Sequence, residues 1–280
     1  MPDRHLSERS LVTKRRVIAP GLVTLRFHNP RVARETLAGQ FVNVLPKSGF
    51  GDPMLRRPFS VYWADENEAE IIVQAHGRGT GILAETREEE MLDILGPLGK
   101  PWMYQSSDYA TAVLLIGGVG VASMPMLTRA LELEEIPVQT FYGARTASLI
   151  AKDHLSNLHI ATDDGSEGYH GSNVELLRTF LDPLLFKEVA GSMSDHAGGP
   201  IESPKIFACG PTAMMRAAQS LAAEFGIPCE LSLETEMACG IGICQGCPVQ
   251  TEESIFLQSG RRFKLVCTEG PSFNAEEIVL

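Results

Sequence analysis

Long apolar runs, an excess of basic residues and abundant cysteine are all missing from this 280-residue sequence. No apolar stretch reaches the roughly 18–20 residues that a helix needs to cross a bilayer, which argues against a membrane protein of the helical kind. The opening stretch, MPDRHLSERSLVTKRR, is charged and has no apolar centre of the sort a signal peptide carries. The expectation is therefore a cytoplasmic protein without a secretory leader. Lysine and arginine total 24 against 35 aspartates and glutamates, a formal net charge of −11. Nucleic-acid binding asks for basic stripes, so this balance excludes it and suits a soluble chain or one that docks to a partner. Only six cysteines occur. In a reducing compartment they are metal ligands, redox groups or inert core before they are disulfides. Internal repeats and low-complexity segments are also absent.

What is present falls into three stretches. Residues 11–75 carry short segments rich in β-branched and aromatic residues, LVTKRRVIA, GLVTLRFHN, QFVNVLP, RPFSVYWAD and AEIIVQAHG, separated by Pro, Gly and Asn. Such spacing predicts a small antiparallel barrel. GTGILAETREEEMLDIL predicts a short helix and then a strand, and GPLGKPW a closing turn. From about residue 110 apolar runs ending in glycine alternate with helical periodicity. TAVLLIGG, PVQTFYGA, LSNLHIATDD and PKIFACGP read as strands; VASMPMLTRALELEE, TASLIAKDHL, VELLRTFLDPLL and TAMMRAAQSLAAEFG read as helical. That alternation predicts a parallel sheet with helices on both faces. The polar stretch 191–204 reads as a surface loop. Residues 233–280 show little regular patterning, and a piece so small needs a staple to fold. The expected boundaries are 1–105 for the barrel, 106–232 for the α/β domain and 233–280 for the cysteine-rich segment.

Four of the cysteines define that last segment. Cys239, Cys244 and Cys247 follow the spacing C-x4-C-x2-C, and nineteen residues separate Cys247 from Cys267. This is the order in which plant-type ferredoxins hold a [2Fe–2S] cluster. Zinc sites more often pair their ligands as two C-x2-C knuckles, so zinc is the weaker reading. Gly240, Gly242 and Gly246 let the backbone wrap tightly and turn N–H groups toward sulfur. Cys229 reads as a small core residue. A one-electron cluster is useful only beside a donor and an acceptor, so the rest of the chain should hold one of them.

Three glycine or arginine stretches are candidates. GGVGVA, residues 117–122, follows a buried strand and opens a helix, which suits a dinucleotide pyrophosphate, although the full G-x-G-x-x-G is absent. RRPFSV, residues 56–61, sets Arg57 where it could neutralise phosphate and Ser60 where a hydroxyl could meet a polar ring edge. HGRGTG, residues 76–81, offers a run of backbone N–H groups. Taken singly, each is also compatible with an ordinary turn or a solvated edge strand.

Taken together, RRPFSV, GRGTGILAE, LGPLGKPW, IGGVGVASMPML, ATDDGSEGYHG, FACGPTAMM, ETEMACGIGICQGC and VCTEGPSFNAEEI resemble the ferredoxin–NADP reductase superfamily. Within it the order is similar to the electron-transfer subunits of NAD-linked, two-subunit dihydroorotate dehydrogenase, over nearly the whole chain. The resemblance implies FAD held by Arg57, Pro58, Phe59 and Ser60, by Gly79 and Thr80, and along the intervening strand by Ile72, Val73 and Gln74. It implies a nicotinamide dinucleotide at Gly117, Gly118 and Gly120, with Cys209, Gly210 and Pro211 beside the nicotinamide. Asp163 and Asp164 end a strand where an acid near a ribose favours NAD over NADP, while Arg145 keeps NADP open. Cys239, Cys244, Cys247 and Cys267 are implied as cluster ligands. The long gap before Cys267 is expected to extend as a hairpin without disturbing ligation. The implied partner is an FMN-containing catalytic subunit in a heterotetramer of pyrimidine biosynthesis, with this chain passing electrons through the cluster and FAD to NAD+. No general acid or base is needed in this chain, and none is nominated. Similar chains serve sulfide dehydrogenases, hydrogenases and ferredoxin:NADP+ transhydrogenases, which is the second expectation. A zinc-stapled binding protein without activity is the third.

Overall fold

The computed structural model describes residues 7–46, 52–105, 108–182 and 201–280. Strands β1 (Ser7–Ala19), β2 (Leu22–His28), β3 (Phe41–Leu45), β4 (Arg57–Asp65), β5 (Glu68–Gln74) and β6 (Met91–Leu98) close an antiparallel barrel in the order β1-β2-β5-β4-β3-β6. Side chains alternate across each strand, so Leu92 and Ile94 of β6 point inward, while Leu98 packs with Phe41 in the apolar cluster of the carboxyl segment. Val12, Leu25, Phe27, Val42, Val44, Ile71 and Val73 fill the interior. The expected short helix follows β5 at Arg78–Ala84. The GPL expected in a closing turn is instead the end of β6.

The second body is a sheet built from β7 (Thr111–Gly117), β8 (Val138–Ala144), β9 (Leu158–Thr162), β10 (Tyr169–His170), β11 (Pro204–Cys209), β12 (Cys229–Ser232) and β15 (Ser272–Asn274). Its order is β10-β9-β8-β7-β11-β12-β15. All pairings are parallel except β12 with β15. Helices Pro125–Leu133, Asn173–Leu181 and Thr212–Phe225 accompany it. The chain reverses its direction of winding between β7 and β11, which places a switch point at their carboxyl ends.

Three local expectations change. The glycine loop after β7 first forms a 3-10 turn over Gly118–Ser123, and the α-helix begins only at Pro125, whose fixed φ and missing N–H suit a first helical position. TASLIAKDHL forms just one 3-10 turn, Ala147–Leu149. The carboxyl segment is more regular than its sequence implies. It supplies β15 to the sheet edge and forms its own pair, β13 (Pro248–Gln250) with β14 (Phe263–Leu265). The stretch 191–204 lies outside the described residues up to position 200. No helix among the described residues is long and apolar enough to cross a membrane.

Barrel and sheet share one core, in which Val12, Val42 and Ile71 of the barrel and Leu114 and Phe207 of the sheet belong to the same apolar cluster. Trp102 is the joint. Its backbone N–H donates to the Ala38 carbonyl at 2.9 Å, its indole N–H to the Ser123 carbonyl at 3.4 Å, and its ring meets Phe207 edge-on at 5.7 Å. Gly39 makes room for it, since a Cβ there would lie 2.6 Å from the indole. A second clasp lies at the far end. Arg129 donates to the Ala64 carbonyl at 2.8 Å and sits 4.6 Å over Trp63, on which His154 also stacks at 4.0 Å. Arg16 bonds both Glu70 of the barrel and Asp153 of the sheet body, at 3.0 and 3.1 Å.

Replacing Trp102 by alanine empties the joint. The expected cost is about 3–5 kcal/mol, read as a fall in the urea midpoint at unchanged slope.

Candidate functional site

A cavity of about 470 Å³ opens where the barrel, the switch point of the sheet and the segment 232–237 meet. The barrel contributes Pro58, Phe59 and Ser60 from β4, Ile72 and Gln74 from β5, and Thr80 from the following helix. The sheet contributes Gly120 and Cys209. Eight of the residues singled out from sequence thus line one space.

The others take different places. Val73 points into the barrel interior, fully buried, because the strand alternation that turns Ile72 and Gln74 to the cavity turns it away. Its side chain therefore has no face on the cavity. Arg57 lies against Gly79, where a Cβ would come within 2.8 Å of its Nε. Its Nη1 donates to the Leu55 carbonyl at 2.7 Å, and it makes no ion pair among the described residues. An uncompensated guanidinium over a glycine turn is a suitable partner for a diphosphate. The Thr80 hydroxyl is already engaged by that turn, accepting from the N–H groups of His76 and Gly77 at 3.0 Å each.

At the sheet, two glycine loops cross in contact. A Cβ on Gly117 would lie 2.7 Å from Pro211, one on Gly210 would lie 2.8 Å from the Gly117 Cα, and one on Gly120 would lie 2.2 Å from the Cys209 carbonyl oxygen. Gly118 turns at φ +53. Gly117, Gly120 and Gly210 are buried in this crossing, while Gly118 and Val119 are half-buried and Pro211 exposed at the carboxyl ends of β7 and β11, the usual ligand crevice of an open α/β sheet. Burial, with Glu234 second, pushes the Cys209 thiol up to about 12, so at neutral pH it is a protonated, uncharged lining group. Asp164, at the end of β9, accepts from the backbone N–H and hydroxyl of Ser166 at 3.0 and 2.5 Å, hydrogen bonds that lower its pKa.

Sequence reading missed Glu234. It lines the same cavity as Ser60 and Cys209, and burial raises its pKa. The two glutamates of LSLETEM carry no motif spacing; only the fold brings Glu234 there.

The cysteine segment begins directly beyond the cavity, because Met237 lines it and Cys239 follows two residues later. Gly240 at φ +72, Gly242 at φ +79 and Gln245 at φ +58 curl the chain into the left-handed region. That curl turns the N–H groups of Ile241 and Cys244 onto the Cys239 sulfur at 3.5 and 3.4 Å. The Cys267 N–H approaches the Cys247 sulfur at 3.4 Å. Cys244 lies close enough to Cys239 to act on its thiol, and Cys247 and Cys239 close enough to Cys267 to act on that one. None of the six cysteines is joined in a disulfide.

Two facing pairs form a particular donor set. Among the described residues no three Cys, His, Asp or Glu side chains are grouped for a single ion. One zinc ion would need four ligands converging on one point. A [2Fe–2S] cluster takes two thiolates on each iron, so a two-and-two arrangement fits it better. Burial acts to raise the Cys239 thiol, but the N–H groups of Cys244, Ile241 and Ile243 outweigh it and bring the thiol down to about 7. Burial and the adjoining Cys247 push Cys267 up to about 12.

Comparison with solved structures agrees with this architecture. The NADH-dependent reduced ferredoxin-NADP oxidoreductase superposes with a TM-score of 0.79 at 28% identity, over 100% of this chain and 91% of the other. A ferredoxin NADP+ reductase from Neisseria gonorrhoeae, with bound FAD and NADP, shares the fold at TM-score 0.60 and 16% identity, over 79% of this chain and 92% of its own. The class is therefore a ferredoxin-reductase-like oxidoreductase that carries an iron–sulfur segment. Residues 234–279 match the iron–sulfur cluster binding domain of dihydroorotate dehydrogenase B. The electron transfer subunit of dihydroorotate dehydrogenase B (NAD(+)) from Bacillus cereus strain Q1 is 31% identical over 277 residues, 96% of this chain and 97% of the relative. The subunit of the same name from Bacillus anthracis strain A0248 matches equally. The chain belongs to this family of dihydroorotate dehydrogenase B electron transfer subunits.

Three outcomes follow from the geometry. In metal-free protein, iodoacetamide near pH 7 should label Cys239 well before Cys267, as read by peptide mass spectrometry; equal rates would contradict the environments described. Because the folded pKa of Cys239 lies below the roughly 8.5 of an unfolded thiol, its thiolate stabilises the metal-free loop fully above that pH. The contribution is lost as pH falls through about 7. Separately, Gly120→Ala forces a Cβ against the Cys209 carbonyl, so it should destabilise the fold by about 1–3 kcal/mol, measured by denaturation.

Proposed function

We propose that this chain carries electrons from a partner FMN subunit, which oxidises dihydroorotate, to NAD+. The carrying observation is continuity: the segment that lines the cavity at Ser232, Glu234 and Met237 runs straight into the first cysteine. Two residues of chain span at most about 7 Å, so the first sulfur ligand and the cavity wall are neighbours. When bound, the cluster moves single electrons and FAD collects two, which suits hydride transfer to NAD+.

The chain's own groups hold and exclude. Phe59, Ser60, Ile72 and Gln74 form the wall for the flavin ring, and Arg57 with Gly79 and Thr80 meets its diphosphate. Gly117, Gly118 and Gly120 let the nicotinamide dinucleotide approach the backbone, with Cys209, Gly210 and Pro211 beneath the ring. Cys239 with Cys244, and Cys247 with Cys267, take one iron each. Asp163 and Asp164 favour NAD over a ribose that carries a further phosphate. The domain boundaries we assign are 1–105, 106–232 and 233–280, with β15 as the carboxyl segment's contribution to the sheet. A reducing, cytoplasmic setting suits this reading, since it keeps the ligand thiolates out of disulfides. A heterotetramer of two such chains with two FMN subunits is the assembly this reading implies.

A second reading has its own support. The likeness to the NADH-dependent reduced ferredoxin-NADP oxidoreductase over the entire chain favours the same cofactors working with a different partner. Anaerobic purification with native partners separates the two. The first reading expects an FMN protein to co-purify and dihydroorotate-dependent NAD+ reduction to require both chains. A co-purifying partner without FMN and without dihydroorotate oxidation would overturn it in favour of the second.

A further inference from the structure

Asn43 stands where flavin strand and cysteine loop meet. On β3 it pairs with Pro58 of β4 and Leu95 of β6. Phe41, two residues earlier and on the same face of the strand, lines the cavity, which puts Asn43 one strand step of about 7 Å from it. The side chain is fully buried, at 0% exposure. Its Nδ2 donates to the Cys239 carbonyl oxygen at 3.3 Å. Gly240 follows that carbonyl, and a Cβ on it would lie 2.0 Å from the same Nδ2, so the loop rests directly on the carboxamide.

Packing does not account for this amide. Its Oδ1 is buried and meets no donor among the described residues. A leucine would fill the place without leaving an orphan acceptor, and buried polar groups are ordinarily partnered. The amide orientation is set by its neighbour, since only the NH2 end can face a carbonyl oxygen. Holding that carbonyl fixes the plane of the Cys239–Gly240 peptide. From that plane the chain turns to bring the Ile241 and Cys244 N–H groups onto the Cys239 sulfur. Hydrogen bonds to sulfur set both retention and potential of an iron–sulfur centre.

We propose that Asn43 is a positioning residue for the iron–sulfur centre: its carboxamide pins the Cys239 peptide to the barrel and so fixes the loop's N–H groups and its place beside the flavin strand. This rests on the reading of the four cysteines as cluster ligands. It adds a residue from the first domain, 196 positions away from Cys239 in sequence, to the cluster's surroundings.

The test uses the complete chain, prepared anaerobically, as Asn43→Leu and Asn43→Ala. The expected result is loss of the cluster's visible absorption to an iron chelator about ten-fold faster than in the parent, with NADH-dependent bleaching of the flavin kept within about two-fold. The midpoint of the cluster should also move to more negative potential, because N–H dipoles aimed at sulfur favour the more negatively charged reduced form. Should Asn43→Leu not fold, Asn43→Ala, which only opens a small space, decides. Release rate and midpoint both equal to the parent's would overturn the inference, as would equal damage to flavin bleaching and cluster retention. A parent chain that carries flavin but never a cluster would instead overturn the reading of the cysteines.

Discussion

The curl of backbone from Cys239 to Cys247 is the constraint on which the carboxyl third of the molecule depends. Thiolates brought together repel one another and must be held by something other than side-chain packing. Here the backbone does it, with left-handed turns at Gly240, Gly242 and Gln245 that aim N–H dipoles at the Cys239 sulfur. Those positive φ values come readily to glycine and cost most other residues about 1 kcal/mol or more, so the glycines follow from the ligand geometry. The same turns bring Cys244 beside Cys239, and the β13–β14 pair carries Cys267 back to Cys247.

From that loop the architecture extends in both directions. Toward the barrel, the segment before Cys239 walls the cavity that β4 and β5 open; toward the sheet, β15 pairs with β12 and seals its edge. The carboxyl segment therefore leans on both bodies. Its core residues Cys247, Val249, Val266 and Phe273 belong to one apolar cluster with Val113, Ile206 and Leu231 of the sheet and with Phe41 and Leu98 of the barrel. Three bodies packed on shared cores keep the four cysteines, the cavity and the glycine crevice next to one another, and short reach is what electron transfer requires.

The parts of this arrangement that are local in the chain were legible in the sequence. Cysteine spacing, the glycine loops after apolar runs and the barrel's alternating strands are each encoded within a few residues, and they fell where expected. The expected hairpin before Cys267 is present as β13 and β14, with an unanticipated helix, Glu253–Ser259, between them. What was not legible is set by partners far away. β15 has three residues and no period of its own; it is a strand because β12 is there. Val73 was grouped with its neighbours although strand alternation turns it inward. Pro125 delays the helix after the glycine loop, a local signal that was present and outweighed by the apolar periodicity around it. Glu234 and Asn43 look like ordinary loop and strand residues until the fold sets one in the cavity and the other under the Cys239 carbonyl.

The central claim is that four sulfur atoms hold a pair of irons. Iron, acid-labile sulfide and zinc can be counted together in one anaerobically prepared sample of the chain. The account predicts about two irons and about two sulfides per chain, with no stoichiometric zinc. One zinc per chain without sulfide, persisting after anaerobic reconstitution with iron and sulfide, would contradict it.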